Sequence, residues 1–227
     1  MKYDILLFDL DGTLLDFDRS ETEAFKRLMS EKGVTYTDGL FKLYKEVNGG
    51  LWREYEKGEI DMAFLLKTRF KITMERIGLD IDGLQWENQY RGYLGEYGYI
   101  IDGADEVVKN LSEGRRIFAV TNGVGDTQIN RLKIAGMLGY FEEVFISQVI
   151  GHQKPSLEFF DFVMSKINGF DRRRALIIGD SPLTDILGGK NAGIDTCLVS
   201  LNGKKNETDI KSDYTVGALR ELYEICG

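Results

Sequence analysis

Five short apolar runs constrain this chain more than any other feature: "YDILLFDL" (3–10), "RIFAVTN" (116–122), "EVFIS" (143–147), "ALIIGD" (175–180) and "TCLVS" (196–200). Each is nearly continuous in apolar residues rather than alternating, as a strand covered on both faces requires. Helical patterning over about 102–113, 126–138, 155–167 and 183–192 separates most of them. Alternating β and α elements predict an α/β fold built on a doubly wound parallel sheet.

The first run and the second lie far apart. From about Asp16 to Tyr99 the chain shows only helical patterning. "SETEAFKRLMSEKG" reads as a helix opened by a capping box, Ser20 with Glu23, and closed on Gly33. "GLFKLYKEVNGG", "LWREYEKG", "EIDMAFLLKTRFKITMERIG" and "LQWENQYRGYLGEYG" follow, each ending on glycine. Such a stretch is too long for a strand-to-strand crossover. It predicts an all-helical module, residues 16–99, inserted after strand 1 into a core made of 1–15 and 100–227. The module is expected over the strand ends, where doubly wound sheets bind ligands.

The chemistry-bearing residues stand where those runs end. Strand 1 runs into Asp9-Leu-Asp11-Gly-Thr, strand 2 into Thr121-Asn122-Gly123, and strand 4 into Gly179-Asp180-Ser-Pro-Leu-Thr-Asp185, while "HQKPS" with Lys154 lies between strands 3 and 4. A parallel sheet puts all its carboxyl ends on one edge, so these groups should converge. Four carboxylates in one pocket cannot all stay ionised unaided. A hard divalent cation relieves them, and oxygen-only ligands fit Mg²⁺, which also takes a substrate phosphate. Lys154, followed by Pro155 at an expected helix start, adds positive charge toward an anion. Thr121 and Asn122 supply neutral donors. Asp9 is the candidate nucleophile, attacking phosphorus to give an acyl phosphate. Asp11, on the same side of an extended strand, would be its acid–base partner.

Asp-x-Asp-Gly-Thr, Thr-Asn-Gly, Lys-Pro and Gly-Asp-x4-Asp, in this order, resemble the phosphatases of the haloacid dehalogenase (HAD) superfamily, and the resemblance covers the whole chain. It implies a Rossmann-like core with a helical cap. It also implies Asp9 as nucleophile and metal ligand, and Asp11 as general acid/base that ligates Mg²⁺ through its backbone carbonyl. Thr121 and Lys154 would bind phosphate, Asp180 would be a metal ligand and Asp185 its support. "DGTLLDFDRSETEAF" with "LWREYEKGEI…RF" resembles the pyrimidine 5′-nucleotidase branch, which implies a nucleoside monophosphate substrate such as UMP, dUMP or dTMP. Pro182 in "GDSPLTD" departs from the pattern but keeps the aspartate spacing. Other small phosphate esters (sugar phosphates, phosphoglycolate) or a phosphomutase reaction stay open, because specificity would reside in the insert. A phospho-accepting signalling module is the reading from another class. The length of the chain and the presence of Asp11 beside the acceptor weigh against it.

Each motif alone has a plainer reading: a turn at Asp9–Gly12, a strand exit at Thr121–Gly123, a helix cap at Ser181–Pro182, a surface lysine at 154. Position 12 counted from Asp9 is Ser20, not glutamate, which disfavours a calcium loop. The only histidine, His152, is not needed as a catalyst, since Asp11 fills that role. The aromatics of the insert (Trp52, Tyr55, Phe64, Phe70, Trp86, Tyr90, Tyr93, Tyr97) read as its core, and Asp16 and Phe17 as hinge or substrate-contact residues at its entry. A net charge of −8 with no basic stripe excludes a nucleic-acid polymer as partner. "GRRIF" and "DRRRA" read as solvated entries to strands. No run approaches a membrane span. Acids in the first apolar stretch argue against a signal peptide. Two cysteines without a spacing motif suit a reducing, cytoplasmic location. Monomer and homodimer both remain open.

Overall fold

The computed structural model describes residues 2–201 and 208–227. The chain divides into two compact units, Met1–Phe17 with Gly98–Gly227, and Asp18–Tyr97. The first is an α/β unit around a six-stranded sheet. Its strands are β1 (Ile5–Phe8), β2 (Arg116–Thr121), β3 (Glu143–Ile146), β4 (Ala175–Gly179), β5 (Asp195–Val199) and β6 (Tyr214–Val216). Their order in the sheet is β3-β2-β1-β4-β5-β6, and every pairing is parallel. The order reverses between β1 and β4, the switch point at which such sheets open a crevice at their carboxyl edge.

Alternation along β1 explains why its run is wholly apolar. Leu6 and Phe8 join one core cluster with Val107, Val108 and Leu111 of helix α5 (Ala104–Ser112). Ile5 and Leu7 join the other with Phe159, Phe160 and Val163 of helix α8 (Leu157–Lys166). All four strand residues are buried. Successive side chains leave opposite faces of the sheet, and helices cover both. Among the described residues four more helices belong to this unit: α6 (Gly125–Ile134), α7 (Ser147–Ile150), α9 (Leu187–Ala192) and α10 (Leu222–Cys226). The sequence reading lacks β6 and α10. The strand is three residues long with a single buried side chain, too short and too polar for an apolar run to mark it.

The strands are also shorter than their runs, which matters at β1. Asp9 N still donates to Ile178 O at 2.8 Å, but the N–H groups of Leu14 and Leu15 both turn back onto Leu10 O at 2.9 and 2.8 Å. The ladder therefore ends before Asp11. Farther on, Asp16 N donates to Tyr99 O and Ile101 N to Leu14 O, both at 2.9 Å. The two connections to the helical unit thus run antiparallel, with Leu15 bridged to Ile100.

The second unit is all helical: α1 (Phe17–Glu31), α2 (Asp38–Glu56), α3 (Met62–Glu75) and α4 (Gly83–Leu94). Two expectations are corrected here. Ser20 does not cap α1, which starts at Phe17; Ser20 lies inside it on the buried face with Glu21, Ala24, Phe25 and Leu28. Gly49-Gly50 does not end a helix either, because α2 runs through it. Each interior glycine costs about 1 kcal/mol, and the buried row Leu40, Tyr44, Val47, Leu51 and Tyr55 offsets this by packing. Gly33, at φ 67°, does close α1. Phe25, Tyr44, Phe70 and Tyr90 form the aromatic centre, with successive ring centroids 4.7, 5.1 and 5.1 Å apart. Tyr55 and Trp86 are buried with them, whereas Phe64 is exposed. A buried ion pair crosses the unit: Arg69 donates to both carboxylate oxygens of Glu87, at 2.6 and 2.7 Å, and to Asn48 Oδ1 at 3.0 Å.

Candidate active site

Three segments bring their charged residues to the carboxyl edge at the β1/β4 switch point. Asp9 follows β1, Asp180 follows β4, and Asp185 lies in the π-helical turn Pro182–Ile186 that leads into α9. Carboxylate oxygens of these three residues lie within 4.8 Å of one another. Lys154 enters from the turn before α8. Its ammonium donates to Asp9 Oδ1 at 2.7 Å, Asp185 Oδ1 at 2.6 Å and Val120 O at 2.8 Å, which uses its three N–H groups. Thr13 Oγ donates to Asp9 Oδ2 at 3.1 Å, and Ser181 N donates to Asp185 Oδ2 at 3.1 Å.

Burial sets the electrostatics. Removal from water pushes the Asp9 carboxyl well above its ordinary range; Lys154 opposes the rise, and the charges of Asp185 and Asp180 add to it. Burial also disfavours the Lys154 ammonium, but Asp185 and Asp9 outweigh this and hold its pKa above the usual lysine value. One ammonium beside three carboxylates, two of them buried, leaves excess negative charge. An all-oxygen donor set with uncompensated charge fits a hard divalent cation. The backbone is shaped to the same end. Gly12 has φ +82°, and a Cβ there would stand 2.6 Å from Asp180 Oδ2. A Cβ on Gly179 would run into the Asp185 carboxylate. Both glycines let a carboxylate lie directly against the main chain.

Asp11 is not part of this cluster. The expectation that it shares one side of a strand with Asp9 fails, because β1 ends at Phe8 and Asp11 sits in the following turn. Its carboxylate is held instead by two side chains that the sequence reading missed. Gln128 Nε2 donates to Asp11 Oδ2 at 2.8 Å, and Arg131 Nη1 pairs with Asp11 Oδ1. Thr121 Oγ accepts from Gly123 N and from Gln128 Nε2, each at 3.0 Å. With both lone pairs engaged, its hydroxyl proton is the group left to donate. Asn122 clamps the Lys154 backbone: Nδ2 donates to Lys154 O at 2.9 Å, and Lys154 N donates to Asn122 Oδ1 at 2.8 Å. Its amide thereby fixes the lysine.

The expected helix start at Pro155 is also corrected. Ser156 caps α8, its Oγ accepting from Phe159 N, and the helix begins at Leu157. Gln153–Ser156 form a turn closed by Ser156 N to Gln153 O at 2.9 Å, with a cis Lys154–Pro155 peptide. A proline at the third position of such a turn is the geometry a cis bond serves. His152 is exposed, and Asp16 and Phe17 are half-buried.

A doubly wound parallel sheet carrying a buried carboxylate–lysine cluster at its switch point defines an α/β enzyme. The haloacid dehalogenase-like hydrolase family matches residues 3–193, and the chain belongs to that family. Among known proteins, pyrimidine 5′-nucleotidase PynA of Streptococcus pneumoniae is 36% identical over 99% of this chain and 95% of its own. Pyrimidine 5′-nucleotidase YjjG of Escherichia coli is 32% identical over 99% of this chain and 98% of its own. The magnesium-bound crystal structure of the HAD-hydrolase YfnB from Bacillus subtilis superposes with a TM-score of 0.95 at 38% identity, covering 100% of both chains. No described helix is long and apolar enough to cross a membrane.

Proposed function

We propose that this chain is a Mg²⁺-dependent phosphomonoesterase that hydrolyses pyrimidine nucleoside 5′-monophosphates such as UMP, dUMP and dTMP. The observation that carries the reading is its match, end to end, to two proteins named pyrimidine 5′-nucleotidase. The donor chemistry at the sheet edge supports it. Residues 1–15 with 100–227 are the proposed catalytic domain, and 16–99 the cap that selects the substrate. The two cysteines, both buried and free, suit a reducing cytoplasmic location.

In this reading an Asp9 oxygen attacks phosphorus. The P–O ester bond breaks, its electron pair passes to the departing 5′-oxygen, and Asp11 protonates that oxygen. Water then attacks the aspartyl phosphate and gives a proton to Asp11. The acyl-phosphate bond breaks with its electron pair returning to Asp9, which leaves nucleoside and inorganic phosphate. The Thr121 hydroxyl binds a phosphoryl oxygen, and the Lys154 ammonium binds another by exchanging one of its three present acceptors, with Asn122 fixing the lysine and lending polarity beside it. Mg²⁺, held by Asp9, Asp180 and the Asp11 backbone carbonyl with Asp185 in support, would offset the negative charge of the transferring group.

Phosphate release with Mg²⁺ across UMP, dUMP, dTMP, AMP, GMP, several sugar phosphates and phosphoglycolate tests the substrate. A pyrimidine preference that chelation of Mg²⁺ abolishes is the expected outcome. A flat or sugar-favouring profile overturns the nucleotide assignment, and no release from any ester overturns the phosphomonoesterase itself.

A further inference from the structure

Asp11 sits on a turn beyond the end of its strand, with its side chain 27% exposed. A short side chain there has three staggered wells to choose from. A proton donor must nevertheless lie within hydrogen-bond reach of the oxygen it serves. Helix α6 answers that need. Gln128 and Arg131 are three residues apart and so neighbours on one helix face. Each grips a different oxygen of the Asp11 carboxylate. They also brace each other, because Arg131 Nη1 donates to Gln128 Oε1 at 3.0 Å. Arg131 is fully buried and Gln128 is 2% exposed. Burying a guanidinium is costly unless its geometry is well satisfied, and the Asp11 carboxylate is among the groups that satisfy it here. The ring of Phe17, 5.6 Å from the guanidinium carbon, supports it from another side. The same Gln128 nitrogen reaches Thr121 Oγ, which ties Asp11 to the second strand end. Each gripped oxygen keeps a further lone-pair direction where a transferable proton can sit.

We infer that Gln128 and Arg131 are positioning residues that hold the Asp11 carboxylate in the orientation from which it protonates the leaving oxygen. The inference rests on the phosphomonoesterase reading above and adds to it two residues outside the catalytic, phosphate-binding and metal-binding sets named there. A donor displaced by about 1 Å loses on the order of 100-fold in rate.

The test compares two esters by kcat/KM, which reports the steps up to departure of the leaving group. UMP leaves as an alkoxide that needs a proton; p-nitrophenyl phosphate leaves as a stable anion that does not. Arg131→Met should lower kcat/KM about 100-fold for UMP and less than about tenfold for p-nitrophenyl phosphate. Asp11→Asn should show the same bias toward the activated ester, and Arg131→Lys should recover part of the UMP rate. A buried arginine that served only to hold the fold would depress both esters alike, and that result overturns the inference. If the melting curve shows Arg131→Met unfolded, Gln128→Leu carries the same comparison with the same two outcomes. Wild-type protein that hydrolyses neither ester with Mg²⁺ overturns the phosphomonoesterase reading and this one together. Active wild type with equal losses overturns this one alone.

Discussion

Lys154→Met keeps the apolar stem of a side chain that is 2% exposed and deletes only the ammonium. Asp9 and Asp185 lose donors at 2.7 and 2.6 Å, and Val120 O loses one at 2.8 Å. Two unit charges at the 4.8 Å that bounds the carboxylate cluster repel by about 3.5 kcal/mol at an effective dielectric near 20. Truncating one partner of a buried ion pair costs about 3–5 kcal/mol. The two estimates agree, and a loss of about 3–5 kcal/mol is expected near pH 8 without metal. The pH dependence has a definite sign. Asp9 is already raised above its ordinary value of 3.8, and Lys154 is the group that restrains the rise. An acid raised in the folded state binds its proton more tightly folded than unfolded, so stability falls as pH climbs from the ordinary value through the raised one. Without Lys154 that fall extends to higher pH. The deficit of the variant should therefore shrink toward acid pH, as Asp9 takes up its proton, and be largest near pH 8. Mg²⁺ should restore part of it, since a ligand that binds only the folded state stabilises it. Both tryptophans, Trp52 and Trp86, lie in the helical unit, so the α/β unit is followed by circular dichroism in urea rather than by tryptophan fluorescence. A deficit that does not change with pH, or that grows toward acid, would refute the reasoning.

Two further perturbations test separate parts of the molecule. Gly12→Ala forces an L side chain into φ +82° and sets a methyl 2.6 Å from Asp180 Oδ2. It should cost about 1–2 kcal/mol from backbone strain alone and should abolish the rise in melting temperature produced by Mg²⁺. An unchanged Mg²⁺-induced rise would remove Asp180 from the cation site. Arg69→Met removes both short hydrogen bonds to the Glu87 carboxylate, whose side chain has no exposure, and leaves it Arg91 Nε at 3.3 Å; it should destabilise the helical unit by about 3 kcal/mol as read by Trp86 fluorescence. Arg27→Met, at an ion pair whose side chains are 38% and 58% exposed, should cost no more than about 1 kcal/mol. Equal losses in the two variants would mean that burial does not set the strength of these pairs.

The parts of the fold that could be read in advance are those where one physical cause dominates. A strand covered on both faces must be apolar throughout, so β1, β2, β3, β4 and β5 announce themselves, and the carboxyl-edge rule then gathers Asp9, Lys154, Asp180 and Asp185 from distant positions. The errors arise where two local causes compete. Ser20 and Glu23 satisfy a capping-box pattern, yet Phe17, Glu21, Ala24, Phe25 and Leu28 trace a helical face through that point, and packing of the face decides where α1 begins. In the same way the apolar run at β1 continues through Leu10. The acceptance of three backbone N–H groups at Leu10 O turns the chain there and separates Asp11 from the strand geometry that Asp9 inherits.

Gln128 and Arg131 show a different kind of gap. In the sequence, residues 126–138 show helical patterning and nothing sets their cations apart; Lys133 is indeed exposed. The buried face of α6 is instead Thr127, Gln128, Arg131 and Leu132, three of them polar. Hydrophobic periodicity registers burial through apolar residues and is blind to a face that is buried because it is hydrogen-bonded. One signal was nonetheless present. α6 begins four residues after β2 ends, at the edge where the acids gather, and a core stripe broken by an amide and a guanidinium at that location needs partners. An acceptor at the same edge is the Asp11 carboxylate, 117 positions before Gln128. Polar residues in the core stripe of a helix that opens on this sheet edge are thus candidates for holding a charged group there, and the Asp11 carboxylate is the group they hold here.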